Sequence, residues 1–209
     1  MSTATVPSPA AATPLMTAEE FLAKHGGDTG VELVRGRVVN KHGEEIFTRP
    51  IESQDRRVRM PGGKHGKACH KLNLHLGIYL LKNDIGQAFG NDTFIPTTDD
   101  PVSFRGADVS FLSYSRWPKE REVPTGPIPV PDLVFEVRSP TDRISALVNK
   151  AYEYLDAGVS VVVLLIPETH SVAVHRNDDM PALRLAGTDT LELPDILPGF
   201  AVPVNAFFE

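Results

Sequence analysis

The chain has 209 residues, 41% of them apolar, and a net charge of −6; this suits one globular domain with a substantial core and excludes a uniformly basic nucleic-acid binder. A single cysteine, Cys69, excludes an internal disulfide and a zinc site built of thiolates, and it fits a reducing compartment. The start shows no basic segment followed by an apolar one, and no run of about 18 apolar residues occurs anywhere, so the expected location is the cytoplasm rather than a membrane or the outside.

Ser2 to Pro14 consist almost wholly of Ser, Thr, Ala, Val and Pro. Such a composition cannot bury enough apolar surface to offset its ordering entropy, so residues 1–15 read as a disordered tail and residues 16–209 as a single domain. Thr17 with Glu20 forms a capping box, and Phe21 and Leu22 give the apolar face of a short helix ending near Gly26-Gly27. Val31–Val34 and Val38–Asn40 flank a turn that contains Gly36, the signature of a hairpin.

Ala68, Leu72, Leu76, Tyr79 and Leu80 recur at spacings of three and four, which predicts an amphipathic helix from about Gly66 to Asn83. Strands are expected near Gln87–Ile95 and Ala107–Leu112, joined by a Thr-Asp-Asp-Pro turn. Pro118, Pro124, Pro127 and Pro129 make the stretch that follows a surface loop. Leu133–Val137 is nearly all apolar, as a strand buried on both faces should be.

Ser139 then reads as an N-cap with Pro140 at the first helical position, opening a helix whose stripe is Ile144, Leu147, Val148, Ala151, Tyr154 and Leu155 and which stops at Gly158. Val159–Ile166 is a second buried strand, Ser171–Arg176 another, and two short pieces close the chain at Phe207-Phe208. This order describes an α/β fold, a mixed central sheet flanked by helices, in which Leu133 to Ile166 forms a right-handed parallel crossover. Sites in such sheets favour strand ends.

Glu136 interrupts the apolar run of its strand, and a buried carboxylate needs a cation or must neutralise. A divalent metal would answer, and so would Lys150. Asp108 and Glu136 lie in or beside strands expected to be neighbours, about 4.8 Å apart, so the two acids can share a hard cation, Mg²⁺ or Mn²⁺, with waters and phosphate oxygens. Lys150 stands one turn before Tyr154 on the edge of the buried stripe, where its stem can carry the ammonium to the acids and position or deprotonate a water.

Asp132 shares the strand side of Glu136 but lies about 13 Å away, too far for the same ion, and suits a turn or hydrogen-bonding role. Arg56, Arg57, Arg59, Lys64, Lys67 and Lys71 form a basic cluster with no acid among them, fit for phosphates or simply a solvated face. His65, His70 and His75, spaced by five, scatter by about 140° a step and make no metal face. His65 beside Lys64 and Lys67 can reach a phosphate or be an ordinary surface histidine. Tyr154 reads as core, Cys69 has no evident activating setting, and no GxSxG, Walker A or Rossmann pattern occurs.

Several stretches together resemble a known family: Val31-Glu-Leu-Val-Arg-Gly-Arg, the Gly-Gly-Lys-His-Gly helix start, Arg105-Gly-Ala-Asp-Val-Ser-Phe, PDLVFEVRSPTDR, Lys150 with Tyr154 and Ala157-Gly158-Val159, and Ile196-Leu-Pro-Gly-Phe. They look like the restriction-endonuclease family called Uma-two, within the PD-(D/E)XK nuclease-like superfamily, and the likeness runs from about Glu32 to the C-terminus. The resemblance implies a restriction-endonuclease-like core with a divalent-metal site for phosphodiester hydrolysis. Asp108 would be the first metal ligand, Glu136 the second and Lys150 the basic residue.

Where the superfamily places the lysine of Glu-x-Lys this chain has Arg138, a poor base, and where the family usually has a proline before the acid it has Ala107. Glu32 matches the extra acid that the superfamily often draws from an early element; its alternative reading is a strand residue facing solvent. These features lead to a metal-dependent endonuclease acting on DNA, with Arg56, Arg57, Arg59, Lys64, His65, Lys67 and Lys71 as its nucleic-acid contacts. The alternatives are a non-catalytic nucleic-acid or protein-binding module on the same fold, or action on RNA or another phosphate ester. Nucleases of this type often pair, and a double-strand cut needs two sites, so a homodimer is expected.

Overall fold

The structure, a computed structural model, describes residues 15–28, 30–40, 45–46, 62–178 and 180–209. All of the expected tail except Leu15, and Arg56, Arg57 and Arg59 of the basic cluster, lie outside the described residues. The first helix α1, Ala18–His25, opens with both bonds of the capping box: the Glu20 N–H donates to Thr17 Oγ1 at 3.2 Å and the Thr17 N–H to Glu20 Oε2 at 3.0 Å. The hairpin follows as β1, Val31–Val34, and β2, Arg37–Asn40, with Gly36 at φ +74° in its turn.

Helix α2, Gly63–Leu80, begins three residues before the expected start. Gly63 and Gly66 are weak helix formers, but burial of His65 and Ala68 against the sheet carries the helix back over them. β3, Gly86–Asp99, and β4, Val102–Ser113, form a hairpin longer than the pattern indicated, paired from Gly86 with Ser113 to Asp99 with Val102.

β5, Leu133–Val137, is buried at every position and runs parallel to β6, Val161–Ile166, through helix α3, Ile144–Asp156. Ser139 is not the N-cap of α3. That place belongs to Arg143, and residues 139–142 form a turn in which Asp142 Oδ2 accepts the Ser139 N–H at 2.7 Å and the Ser139 carbonyl accepts the Asp142 N–H at 2.9 Å. The aspartate carboxylate takes the Ser139 N–H as it would in a capping box, but here the bond closes a separate turn and the helix starts only at Ile144. Ile144 is exposed, and Lys150 takes a place in the buried face of α3 instead. Gly158, at φ +101°, follows the helix in the left-handed conformation that glycine adopts without strain.

β7, Ser171–Arg176, and β8, Leu183–Ala186, extend the sheet, while β9, Thr190–Leu193, and β10, Leu197–Pro203, form a separate ribbon before a 3₁₀ turn at Val204–Phe207. The main sheet has the order β2-β1-β4-β5-β6-β7-β8, with β3 also on β4. One face packs against α2 and the C-terminal ribbon through Val109, Phe111, Phe135 and Val163, and the other against α3 through Ala107, Val134, Val162 and Leu164.

The topology places the site. β3 runs along one edge of β4, so β1 and β5 must share the other: β1 pairs at Phe104 and β5 at Val109 to Phe111. Among the described residues, therefore, no strand covers this edge of β4 at residues 105–108, while β3 pairs their other edge. The alternation of side chains also breaks there, since Ala107 joins the α3 face whereas Val109 and Phe111 join the α2 face.

Phe135 is fully buried at the middle of the central strand. Phe135→Ala should cost about 3–5 kcal/mol of unfolding free energy in urea titrations; a loss below about 1 kcal/mol is not compatible with this packing.

Candidate active site

Side chains close the gap in β4. Glu32 of β1 accepts the Gly106 N–H at Oε1 (3.1 Å), and the Lys150 ammonium from α3 donates to the Gly106 carbonyl at 2.8 Å. Lys150 also pairs with Glu32 Oε1 at 2.8 Å and with Glu136 Oε1 at 2.9 Å, which satisfies its three donors. Arg105 joins Glu32 Oε2 at 2.8 Å to Glu153 Oε2 at 2.6 Å, so β1, β4, β5 and α3 meet in one ionic network. Glu136 additionally accepts the Tyr154 hydroxyl at 3.0 Å. A side chain at Gly106 would approach the bulge of β3 at Asp92 within 3.0 Å, so glycine keeps the two strands close.

Asp108 stands just outside the stretch of β4 that β5 pairs, and its Oδ2 accepts the Val137 N–H at 2.8 Å, next to Glu136 in β5. His65 Nε2 approaches the same oxygen at 3.4 Å, and Cys69, one turn further along α2, brings its Sγ to 3.6 Å from His65 Nδ1. One ligand atom each from His65, Cys69 and Asp108 lie within 4.8 Å of one another. A pocket of about 90 Å³ opens beside His65 and Asp108, lined also by Arg105, Glu136, Arg143 and Lys150.

The environment sets the charges apart. Burial pushes the Glu136 carboxyl up to about 8, against the pull of the Lys150 ammonium, with the Asp108 and Glu32 carboxylates adding to the rise. Burial also opposes ionisation of Asp108, but the bond from His65 and its charge, the Val137 N–H and Lys150 together carry it below the ordinary carboxylate value. For Lys150 burial disfavours the ammonium, yet Glu136 and Glu32 outweigh it and hold the proton well above the usual range.

The structure thus brings Asp108, Glu136 and Lys150 together at one pocket. Glu32 faces not solvent but the interior, at 1% exposure, because the bare backbone of Gly106 and two cations need its oxygens. His65 is likewise no surface residue: at 5% exposure it is turned toward Asp108. Lys64 and Lys67 are exposed in the first turns of α2 and Lys71 is half-buried. Asp132 accepts the Ser113 N–H and pairs with Arg116, and Arg138 binds Glu168 and the Asp142 carbonyl.

Sequence reasoning passed over Arg105 and the pair His65 and Cys69. Comparing the histidines only with one another at a spacing of five hid the i, i+4 spacing of His65 and Cys69, which puts both on one helix face. Arg105 carries no local signal, because its partners are 73 and 48 residues away.

The model of the Uma2 family, described as "Putative restriction endonuclease", matches residues 52–205. That is well over half of the chain, so the chain belongs to this family. Among solved structures, the crystal structure of a "putative nuclease belonging to DUF820" from Anabaena variabilis aligns over 92% of this chain and 97% of that one, with a TM-score of 0.73 and 19% identity. The likeness shows a restriction-endonuclease-like fold. No curated protein is similar to the chain in sequence. Among the described residues no helix is long and apolar enough to cross a membrane.

Removing one member of a buried ion network strands its partners. Glu32→Ala should therefore destabilise the fold by about 3–5 kcal/mol in chemical denaturation, although Glu32 lies in a four-residue strand near the N-terminal side of the domain. A variant as stable as the parent would mean that Arg105 and Lys150 do not depend on Glu32.

Proposed function

We propose that the protein is a metal-dependent endonuclease that hydrolyses phosphodiester bonds in DNA. The observation that carries the reading is the meeting of Asp108 and Glu136, from adjacent strands of a nuclease-family fold, in one pocket that also receives Lys150. The donor set fits a hard divalent cation: both groups offer carboxylate oxygens, and the mutual repulsion that helps to raise Glu136 is what a bound cation relieves. Asp108 and Glu136 would hold Mg²⁺ or Mn²⁺. When bound, such an ion supplies charge neutralisation at the phosphate and acidifies a water.

The residues of the chain have separable parts. Asp108 is fixed by the Val137 N–H, so its carboxylate is oriented before any ligand arrives. Lys150, held as an ammonium by Glu136 and Glu32, donates and does not abstract a proton; its work is to orient Glu136 and add positive charge beside the scissile group. Arg143 lines the mouth of the pocket, where a guanidinium suits a phosphate oxygen. The exposed Lys64 and Lys67 lie on the helix that carries His65, so the strand would run along the start of α2 toward the pocket. The cytoplasm and a pair of subunits, one for each strand, complete the reading.

The experiment is cleavage of supercoiled plasmid and single-stranded DNA and RNA with Mg²⁺ or Mn²⁺, beside Asp108→Asn, Glu136→Gln and an EDTA control. Both substitutions should abolish metal-dependent cleavage while the circular dichroism spectrum is kept. Cleavage by either variant at the parental rate defeats the assignment. Salt-sensitive DNA binding without product in any condition would instead favour the binding module.

Charge reversal at two exposed lysines gives a separate check. The pair Lys64→Glu and Lys67→Glu should weaken DNA binding at all sequences alike and lower the slope of log affinity against log salt by about 2. An unchanged slope in fluorescence-anisotropy titrations would remove this helix from the interface.

A further inference from the structure

We propose that His65, Cys69 and Asp108 form a second kind of metal site, one for a transition-metal ion of borderline softness, with Zn²⁺ as the principal candidate. The inference concerns binding alone and stands whether or not the protein cleaves DNA. It begins with position. His65 and Cys69 are four residues apart on α2 and project from one face, and Asp108, just outside the stretch of β4 that β5 pairs, has its carboxylate beside His65.

The distances suit a tetrahedral ion. Bond lengths to thiolate, imidazole and carboxylate put neighbouring ligand atoms about 3.3–3.6 Å apart around zinc. Here His65 Nε2 lies 3.4 Å from Asp108 Oδ2 and 3.9 Å from Cys69 Sγ, and the third edge is within 4.8 Å. Side-chain adjustments of about 1 Å close the set. The Val137 N–H bound to Asp108 is the kind of outer contact that holds a ligand in place, and the pocket beside His65 leaves room for a fourth ligand such as water or a phosphate oxygen.

Donor chemistry decides which ion. Mg²⁺ and Mn²⁺ prefer oxygen ligands and gain little from sulfur, whereas thiolate with imidazole selects Zn²⁺ and its spectroscopic substitute Co²⁺. Binding is a balanced exchange: a metal–sulfur bond forms, the Cys69 S–H bond breaks, and the proton leaves to solvent. Asp108 belongs to both the hard-oxygen pair with Glu136 and this softer trio, so the same carboxylate can serve ions of two classes.

The test is titration of the full-length, untagged protein with Co²⁺ under reducing conditions, followed by its visible bands and by the near-ultraviolet thiolate-to-cobalt charge-transfer absorption, and then by displacement with Zn²⁺. One equivalent of Co²⁺ should produce the charge-transfer band, and one equivalent of Zn²⁺ should erase it. Cys69→Ser should lose that band, and His65→Gln should lose stoichiometric binding. The inference is overturned if the folded parent gives no charge-transfer band with Co²⁺, or if the band persists in Cys69→Ser. The result on the parent is decisive even where a variant fails to fold.

Discussion

Two buried cations, Arg105 and Lys150, and three carboxylates, Glu32, Glu136 and Glu153, occupy the edge of β4 that neither β1 nor β5 covers. A sheet interrupted at this point would leave the Gly106 N–H and carbonyl without partners, and Glu32 and Lys150 supply them. Ion networks of this kind are poor sources of net stability, since desolvation offsets much of their attraction, but they are unforgiving of a missing member. The position of Glu136 therefore depends on charges delivered by three other elements, and the pocket exists because side chains, not a strand, complete the sheet.

The same network divides the labour of the two acids. Asp108 is favoured as a carboxylate by His65 and a backbone N–H, while burial and its neighbours make the charge on Glu136 expensive unless more positive charge arrives. Titratable groups pushed apart by environment are characteristic of sites that bind ions or move protons. The Lys150 ammonium lies against Glu136 but has its donors fully committed, which makes it a fixture of the site rather than an exchangeable base.

Helix α2 links the interior of this site to its surroundings. Its inner face sends Ala68, Leu72 and Leu76 into the core and His65 to Asp108, and its outer face presents Lys64 and Lys67. One helix thus contributes to the packing of the sheet, the setting of the Asp108 carboxylate and the positive charge on the surface beside it. Membership of the Uma2 family and the restriction-endonuclease-like fold give this arrangement its context.

Most of the elements could be read from local pattern because their causes are local. The Thr17 capping box, the three-and-four spacing of Ala68, Leu72 and Leu76, the apolar run at Leu133–Val137 and the glycine after α3 act over a few residues, and an acid placed among apolar neighbours marked Glu136 from sequence alone. The turn at Ser139 escaped such a reading because an acid three residues after a serine binds its N–H equally in a capping box and in a closed turn, and the sequence suits both. The inward set of Glu32, the bridging by Arg105 and the turning of His65 toward Asp108 were decided only in the tertiary structure. Each answers a need created elsewhere in the chain: the open edge of β4 between two strands, charges without solvent, and a carboxylate left outside the ladder. Residues 32, 65, 105, 136 and 150 meet only because the sheet order brings them together, and no periodicity of a single segment encodes that closure.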